Sequence, residues 1–341
     1  MNRYRNLLFT FDHELFLGER SGTIDNCITN PANRILELFE KHKVQNAIFF
    51  IDTTYLDRLR KENSMATNRD WNAIKIHLRN IVERGHYLFP HIHPHWLNAE
   101  YLPSINQWSL TNLKKYRFAN LSIEERSQVW INSMEILDEI TSDLEHQVDG
   151  FRAGGWCIQP FSDFKPFFIK HGILYDFSVL PGKCAHTNAQ YYDYSKAPSK
   201  TSYNFESEVV NENKAGSFTQ LPISTTFISA KTELYNRFFL KYLWKTGNRS
   251  YGDGKGVVPK QTEESTEKCL DNNEQRIGLE LLNRPFMKVY KSFLEQNEIM
   301  HFISHPKMMS SHNFKMMDFF LTHTKKNYSI ETDFKKMITQ I

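Results

Sequence analysis

The sequence has no apolar run long enough to cross a membrane, since none approaches the roughly 18 to 20 apolar residues that a spanning helix needs. Residues 1–6 lead directly into a strand-like segment, without the apolar core and small-residue cleavage site of a secretory leader. These absences predict no transmembrane segment and a protein that is not exported.

Cysteine is also scarce. The four cysteines are far apart in sequence and include no Cys-x-x-Cys pair: Cys27, Cys157, Cys184 and Cys269. Such spacing is typical neither of a zinc ribbon nor of a disulfide-stapled secreted domain. It predicts a reducing, cytoplasmic location.

Neither sign of charge dominates the chain. Lys and Arg number 42 against 39 Asp and Glu, which gives a net charge of +3, and no basic run suggests a nucleic-acid partner. Hydrophobic residues make up 40% and charged residues 24% of the sequence, which is ordinary for a globular protein and excludes intrinsic disorder.

Strand-like and helix-like segments alternate along the chain. The predicted strands cover about 7–11, 46–51, 87–92, 148–151, 173–177, 218–224 and 300–304, and the predicted helices about 30–43, 53–64, 70–84, 123–142, 161–171 and 284–297. Alternation of this kind indicates an α/β fold with a mostly parallel sheet and outer helices. About seven strands suggest an incomplete α/β barrel.

Two segments interrupt the alternation. Residues 181–215 are polar and rich in Tyr, Lys and Ser, and residues 247–278 carry Gly-Asp-Gly-Lys-Gly followed by a charged run. We expect both to be insertions on one rim of a single domain covering residues 1–341, where loops commonly carry function.

Titratable side chains stand just after the predicted strands. These are Asp12, His13 and Glu14 after the first strand, His91, His93 and His95 after the third, Arg152 after the fourth, Asp176 at the end of the fifth, and His305 after the last. Because the carboxyl ends of parallel strands share one face, where barrel enzymes have their active sites, we expect one site to contain these residues.

The three histidines favour a metal site over a structural cluster, since two imidazoles and a carboxylate are common ligands of catalytic zinc. Two pairings are open. The two-residue period of a strand points His91 and His93 to the same side, whereas a turn at Pro94 would instead bring His91 and His95 together.

The carboxylates of Asp12 and Glu14 share a face by the same period, so one could bind a metal while the other acts as a base. His13 then faces the opposite way, although it stays a candidate ligand. The alternative is a pair of solvated carboxylates at a strand end.

Two further residues fit supporting roles. Arg152 could hold a carboxylate through a bidentate bond and keep it ionised. His305, with Asp176 as an orienting partner, could act as a general acid. A surface salt bridge and a core-capping histidine are the respective alternatives.

Five short motifs occur in order between residues 10 and 306: Thr10-Phe-Asp-His-Glu14, Gly85-His86 leading to His91 and His95, Arg152-Ala-Gly-Gly155, Asp176-Phe-Ser178, and His305-Pro306. The ordered set resembles the polysaccharide deacetylases, the NodB-homology superfamily of carbohydrate esterase family 4. Phe-Leu-Gly shortly after Glu14 and His-x-His-Pro-x-Trp from His91 are similar to a subgroup encoded with surface-glycan biosynthesis genes.

The resemblance implies a distorted, NodB-like (β/α)7 barrel that hydrolyses an N-acetyl amide on a sugar with the help of a divalent metal, foremost zinc. The implied roles are general base for Asp12, metal ligand for Glu14, His91 and His95, with His93 a further candidate, orientation of Asp12 for Arg152, and general acid for His305 held by Asp176. The metal would act as a Lewis acid and lower the pKa of its bound water.

The resemblance and the lack of a leader together imply a nucleotide-linked or lipid-linked sugar of surface polysaccharide biosynthesis, of the O-antigen or capsule type. Basic and aromatic insertions at 181–215 and 235–256 would cover its phosphorylated carrier. Two other readings stay open, a hydrolase of another small amide or formamide and a catalytically silent glycan-binding barrel.

Overall fold

The computed structural model describes residues 3–258, 260 and 274–339. Its strands are β1 (Arg3–His13), β2 (Gly18–Arg20), β3 (Ile48–Asp52), β4 (Tyr87–Ile92), β5 (Glu100–Leu102), β6 (Gln107–Ser109), β7 (Gly150–Ala153), β8 (Tyr175–Asp176), β9 (Cys184–His186), β10 (Tyr191–Asp193), β11 (Tyr203–Phe205), β12 (Phe218–Gln220), β13 (Thr225–Phe227), β14 (Lys255–Gly256), β15 (Glu274–Arg276), β16 (Ile299–Ser304) and β17 (Tyr328–Glu331).

The α-helices are α1 (Asn30–Lys41), α2 (Thr53–Glu62), α3 (Met65–Glu83), α4 (Ile123–Thr141), α5 (Lys165–His171), α6 (Ala230–Lys245), α7 (Met287–Gln296), α8 (Ser311–Asn327) and α9 (Phe334–Thr339). Serine side chains cap several of them. Ser64, Ser122 and Ser310 each form a capping box at the start of a helix, which satisfies amide groups that the helix itself leaves free.

The main sheet follows the order β11-β12-β8-β7-β4-β3-β1-β16, with β17 also paired to β1. Neighbours are parallel except β11 and β12, so the predicted α/β class with a mostly parallel sheet is confirmed. The sheet curls into a half-barrel. Within the described residues no strand pair joins β16 to β12 or β11, so a closed (β/α)7 barrel is not shown.

Side chains alternate between the two faces of β1, as the two-residue period requires. Phe9 and Phe11 pack outwards on Phe39 of α1, with ring centroids 5.2 and 5.9 Å apart. Leu8 points inwards and joins Phe50 and other aromatic side chains inside the curl. Thr10 and Asp12 continue this inner row, which ends in polar residues at the carboxyl edge of the sheet.

Phe334 of α9 fills the inside of the curl near the opposite end. Its ring lies 5.5 Å from the ring of Phe177 and 6.1 Å from that of Phe89, between centroids. The inside of the curl is therefore packed at the amino ends of the strands and polar at their carboxyl ends.

Both predicted insertions contain strands that pair with strands outside them. Segment 181–215 contains β9, β10 and β11, and β11 extends the main sheet at one edge. In the second insertion, β14 pairs with β2, while residues 259 and 261–273 lie outside the described part. Helices α6, α8 and α9 were not predicted from the sequence.

One cysteine departs from the sequence prediction. Cys27 and Cys157 are free and buried, but Cys184 is disulfide-bonded, which the wide cysteine spacing did not predict. In the described residues no helix is both long and apolar enough to cross a membrane.

His86 provides a test of the packing before β4. It is buried, its Nδ1 accepts a hydrogen bond from the Ala47 amide at 3.3 Å, and burial lowers its pKa to about 4. Because the folded pKa lies below the usual 6.5, the unfolded chain takes up the proton first as the pH falls. The contribution of neutral His86 to the free energy of unfolding is complete above about pH 6.5 and is lost towards pH 4.

We therefore expect His86→Asn, whose side-chain oxygen can still accept from Ala47, to lose less stability than the wild type on acidification. The difference in the free energy of unfolding between about pH 7 and pH 5 should shrink by about 2 kcal/mol. Urea unfolding at both pH values measures it. An unchanged difference would show that His86 does not titrate as a buried neutral group.

Candidate metal-binding and catalytic site

The site begins at the carboxyl end of β1. Asp12 and Glu14 share one face, as their two-residue spacing predicted; this is the inner face of the curl, and both are buried. His13 faces away, with its ring 5.3 Å from that of His77 in α3 and 5.7 Å from that of Phe49. Burial, and then the charge of His77, lower the pKa of His13 well below its ordinary value. His13 thus belongs to the packing outside the sheet.

Arg152 of β7 holds Asp12 from across the curl. Its Nη1 donates to Asp12 Oδ1 at 2.6 Å, its Nη2 to Thr10 Oγ1 at 2.8 Å, and its Nε to the Phe177 carbonyl at 3.0 Å. The guanidinium lies 4.0 Å from the centroid of the Phe50 ring and is fully buried. These contacts fix the carboxylate and leave its second oxygen, Oδ2, facing the histidines.

The charge of Asp12 follows from this arrangement. Burial alone raises the pKa of its carboxyl, but the charges of Arg152, His91 and His305 outweigh burial and hold the pKa below its ordinary value. Asp12 is therefore ionised near neutral pH, as a general base must be.

A potential metal group lies next to Asp12. Glu14 Oε2 is 2.7 Å from His93 Nε2 and 3.6 Å from His91 Nε2, and the two imidazole nitrogens are 3.0 Å apart. The three residues are buried, and one ligand atom from each lies within 4.8 Å of the others. Two imidazoles and a carboxylate are the ligand set of many catalytic zinc sites.

Two details show that these residues fit a cation. His91 Nδ1 lies 2.9 Å from the Arg152 carbonyl, which can only accept, so Nδ1 carries the proton and Nε2 presents its lone pair to the group. Glu14 Oε2 is buried without a properly oriented hydrogen bond, despite its short distance to His93. A divalent cation would satisfy both atoms.

His95 lies outside this group. It belongs to the 3₁₀ turn Pro94–Asn98 and stacks on Tyr116 with ring centroids 4.8 Å apart, and neither ring nitrogen has a hydrogen-bond partner. Burial, and then the charge of His93, lower the pKa of His95 to about 3. The turn at Pro94 carries His95 away, so His93 occupies the place that the resemblance gives to His95.

Lys307 is a site residue that sequence reasoning missed. Its Nζ donates to Glu14 Oε1 at 2.8 Å and to the Leu15 carbonyl at 2.6 Å, and the side chain is buried. Burial raises the pKa of Glu14, but the charge of Lys307 and then of His93 hold it well below its ordinary value. The position of Lys307 two residues after His305, at a strand end already singled out, was a usable signal.

His305 stands at the mouth of the site and is its most exposed histidine, with 18% of the side chain accessible. Its Nε2 lies 3.5 Å from Asp12 Oδ2 and 3.8 Å from Glu14 Oε1. Its Nδ1 lies 3.0 Å from Glu280 Oε1, which accepts from it. The ring is thus oriented from behind while Nε2 faces the carboxylates.

The partner of His305 is a correction to the prediction. Asp176 instead accepts from the amide and the hydroxyl of Ser178, at 3.0 and 2.7 Å, and the structure does not place it against His305. Glu280 takes that role and also accepts from Arg276 Nη2 at 2.7 Å. Burial opposes ionisation of Glu280, but the charge of Arg276 and the contact with His305 lower its pKa to about 2.

No family model matches the sequence, and no curated protein matches it. Among solved structures, a Mycobacterium smegmatis protein named as a polysaccharide deacetylase has a TM-score of 0.49 at 12% identity, covering 100% of this chain and 90% of that one. The catalytic domain of a peptidoglycan N-acetylglucosamine deacetylase from Eubacterium rectale has a TM-score of 0.38 at 9% identity, covering 97% and 89%.

A 4-alpha-glucanotransferase from Thermococcus litoralis is similar to the same degree as the mycobacterial protein, with a TM-score of 0.49 and 12% identity, covering 98% of this chain and 38% of that one. One protein named as a deacetylase and one glucanotransferase thus have equal TM-scores. All three TM-scores are below 0.5.

The two possible histidine pairs, His91 with His93 and His91 with His95, make different predictions for the metal content of variants. We expect about one zinc per chain in the wild type, and at least about tenfold weaker binding in His93→Ala, because it removes one of three protein ligands. His95→Ala should keep the metal. Mass spectrometry after dialysis against zinc measures the content, and thermal unfolding verifies that both variants fold. Loss of metal in His95→Ala with retention in His93→Ala would contradict the grouping.

Proposed function

We propose that this chain is a single-domain, metal-dependent hydrolase that removes an N-acetyl group from a sugar. One observation carries the proposal: the buried Glu14, His91 and His93 group lies beside both an arginine-held aspartate and a glutamate-held histidine. Amide hydrolysis needs these three elements, a site to polarise the carbonyl, a base and an acid.

Asp12 is the proposed base. Its Oδ2 lies 3.9 Å from His91 Nε2 and 3.5 Å from His305 Nε2, so it borders the metal group on one side and the mouth on the other. Arg152 neutralises part of its charge and prevents its rotation, because Oδ1 is held at 2.6 Å. Asp12 can accept a proton from an attacking water only on Oδ2.

His305 is the proposed acid. Amide cleavage requires protonation of the leaving nitrogen, since an amide anion is a poor leaving group. His305 is exposed enough to meet a substrate, and the ionised Glu280 on Nδ1 orients the ring so that Nε2 can donate a proton to the leaving nitrogen. A divalent cation at Glu14, His91 and His93, for which zinc is our first candidate, would polarise the acetyl carbonyl and activate water.

We further propose that the acetylated sugar is attached to a nucleotide or lipid carrier in surface polysaccharide assembly. The support is the motif resemblance and the Tyr- and Lys-containing segment 181–215, which extends the sheet at one edge through β11. The disulfide at Cys184 does not support the reducing location predicted from the cysteine spacing, because disulfides persist mainly in oxidising compartments.

Acetate release from N-acetylated nucleotide sugars and lipid-linked sugars tests the activity. We expect zinc-dependent turnover, with kcat/KM at least about a hundredfold lower in Asp12→Asn because the base is lost while its shape is kept. Asp143→Asn, at an exposed ion pair with Arg79, is the matched control and should be unaffected.

The same panel separates the alternatives. Release of formate or ammonia instead of acetate from small amides would identify a different amide hydrolase. Binding of glycans without turnover, equal in the wild type and Asp12→Asn, would indicate a silent glycan-binding barrel and would overturn the proposal.

With Glu280 rather than Asp176 as the partner of His305, we expect conservative substitutions of these two carboxylates to affect kcat unequally. Glu280→Gln should lower kcat about tenfold to a hundredfold with little change in KM, because the imidazolium loses its counter-charge. Asp176→Asn should keep kcat within about threefold, since Asp176 holds Ser178 rather than His305. Steady-state kinetics on both variants measures the split, and the reverse order of effects would restore the pairing predicted from the sequence.

A further inference from the structure

Helix α6 is the most unusual surface feature among the described residues. None of its residues is buried, although eight of its 16 side chains are large and apolar, and six of these eight are exposed. These six are Leu234, Tyr235, Phe238, Leu240, Tyr242 and Trp244. A helix this apolar is normally buried in a protein core or against a partner.

The exposure is high at the centre and at the end of the helix. Phe238 and Trp244 are each 62% exposed, and Phe227 just before the helix is 61% exposed. Of the six tryptophans in the chain, Trp244 alone is exposed. Scattered apolar residues on a surface are ordinary, but contiguous aromatic exposure marks an interaction site.

The same helix is basic. Its four basic residues stand against one acidic residue, and Arg237 pairs with that residue, Glu233, at 2.6 Å. Lys231, Lys241 and Lys245 are exposed, and the structure gives them no ion pair within the described residues. By helical period these lysines lie on the same outward side as Leu234 and Phe238. The outward face therefore mixes ammonium groups with apolar rings.

The opposite face attaches α6 to the rest of the protein. Asn236 accepts from Asn283 at 2.5 Å, and the ring of Phe239 lies 5.3 Å from that of His312 in α8. Because Asn283 is in the segment that carries Glu280, the helix is fastened to the same part of the chain that orients His305. This attachment leaves the basic, aromatic face directed outwards.

We propose that the outward face of α6, residues 230–245, binds the surface of an anionic lipid bilayer. Aromatic side chains favour the headgroup region, where their apolar bodies are covered and their polar atoms stay hydrated. Lysines extend their stems over apolar surface and place the charge at anionic headgroups. At about 24 Å long, with lysines along its outward side, the helix lies in the plane of the interface rather than across the bilayer.

Two other occupants fit less well. A symmetric second copy would place the same lysines opposite one another, and like charges in a two-fold interface repel. Single-stranded nucleic acid would use the rings and the lysines, but Leu234 and Leu240 offer no stacking surface for bases. An anionic bilayer uses the aliphatic, aromatic and basic residues together.

Cosedimentation of the full chain with vesicles tests the proposal without any need for enzymatic activity. We expect binding to phosphatidylcholine vesicles that contain phosphatidylglycerol, much weaker binding to pure phosphatidylcholine, and weakening at about 0.5 M salt. Lys241→Glu/Trp244→Ser should lower the partition coefficient at least about tenfold. Ile169→Ser/Lys170→Glu, at exposed residues of α5, makes the same charge change elsewhere and should bind as the wild type does.

Insertion has its own readout. Vesicles with brominated acyl chains should quench the exposed Trp244 in the wild type, and Trp244→Ser should remove most of that quenching. Circular dichroism of both double variants verifies that the helix content is kept.

Three results would overturn the proposal. One is the absence of sedimentation with anionic vesicles, and another is equal binding by both double variants. The third is a wild type that does not bind vesicles but forms a dimer, seen by light scattering, or a complex with an oligonucleotide. In that case Lys241→Glu/Trp244→Ser would abolish the dimer or the complex. None of these results bears on the hydrolase activity, so the two proposals fail independently.

Discussion

The buried ion pair between Asp12 and Arg152 is the constraint on which the rest of the site depends. β1 and β7 are not neighbours, since β3 and β4 lie between them. In a flat sheet three strand spacings would separate them by about 14 Å, further than an arginine side chain reaches. The pair at 2.6 Å therefore exists only because the sheet curls.

That pair also explains the polarity of the interior. Burying two charges is costly unless their hydrogen bonds are complete, and Arg152 satisfies this condition through Thr10, the Phe177 carbonyl and Asp12. Its own carbonyl then accepts from His91 and sets the tautomer of that ring. Arg152 thus fixes both the position of the proposed base, Asp12, and the direction of the His91 lone pair that would face a metal. Proton transfer and metal binding therefore depend on the same residue.

The sequence was informative wherever a property is local. Strand β4 was predicted with its observed bounds, and the shared face of Asp12 and Glu14 followed from the two-residue period alone. The choice between His93 and His95 depended on a single turn at Pro94, which the period left open and the resemblance decided differently from the structure. The two-residue period predicts the side to which each side chain of a strand points, but not the path of the chain after the strand ends.

Glu280 and α6 are features that the sequence alone did not predict. Glu280 lies in a segment without a motif and reaches His305 only because the chain passes the end of β16, which is a property of topology. The apolar residues of α6 suggested no boundary because they do not separate into an apolar and a polar face. Local periodicity is a weak guide to a helix that exposes apolar residues on its outward side.

The ion pairs of the site have a consequence for its affinity for anions. Three carboxylates of the site are each paired with a cation: Asp12 with Arg152, Glu14 with Lys307, and Glu280 with Arg276. A divalent cation beside these neutral pairs would add two positive charges in a largely buried space, where water screens them poorly. Electroneutrality then favours small anions at the open face, including acetate and phosphate. Acetate, the product of the proposed reaction, would compete with substrate and slow its own formation as it accumulates.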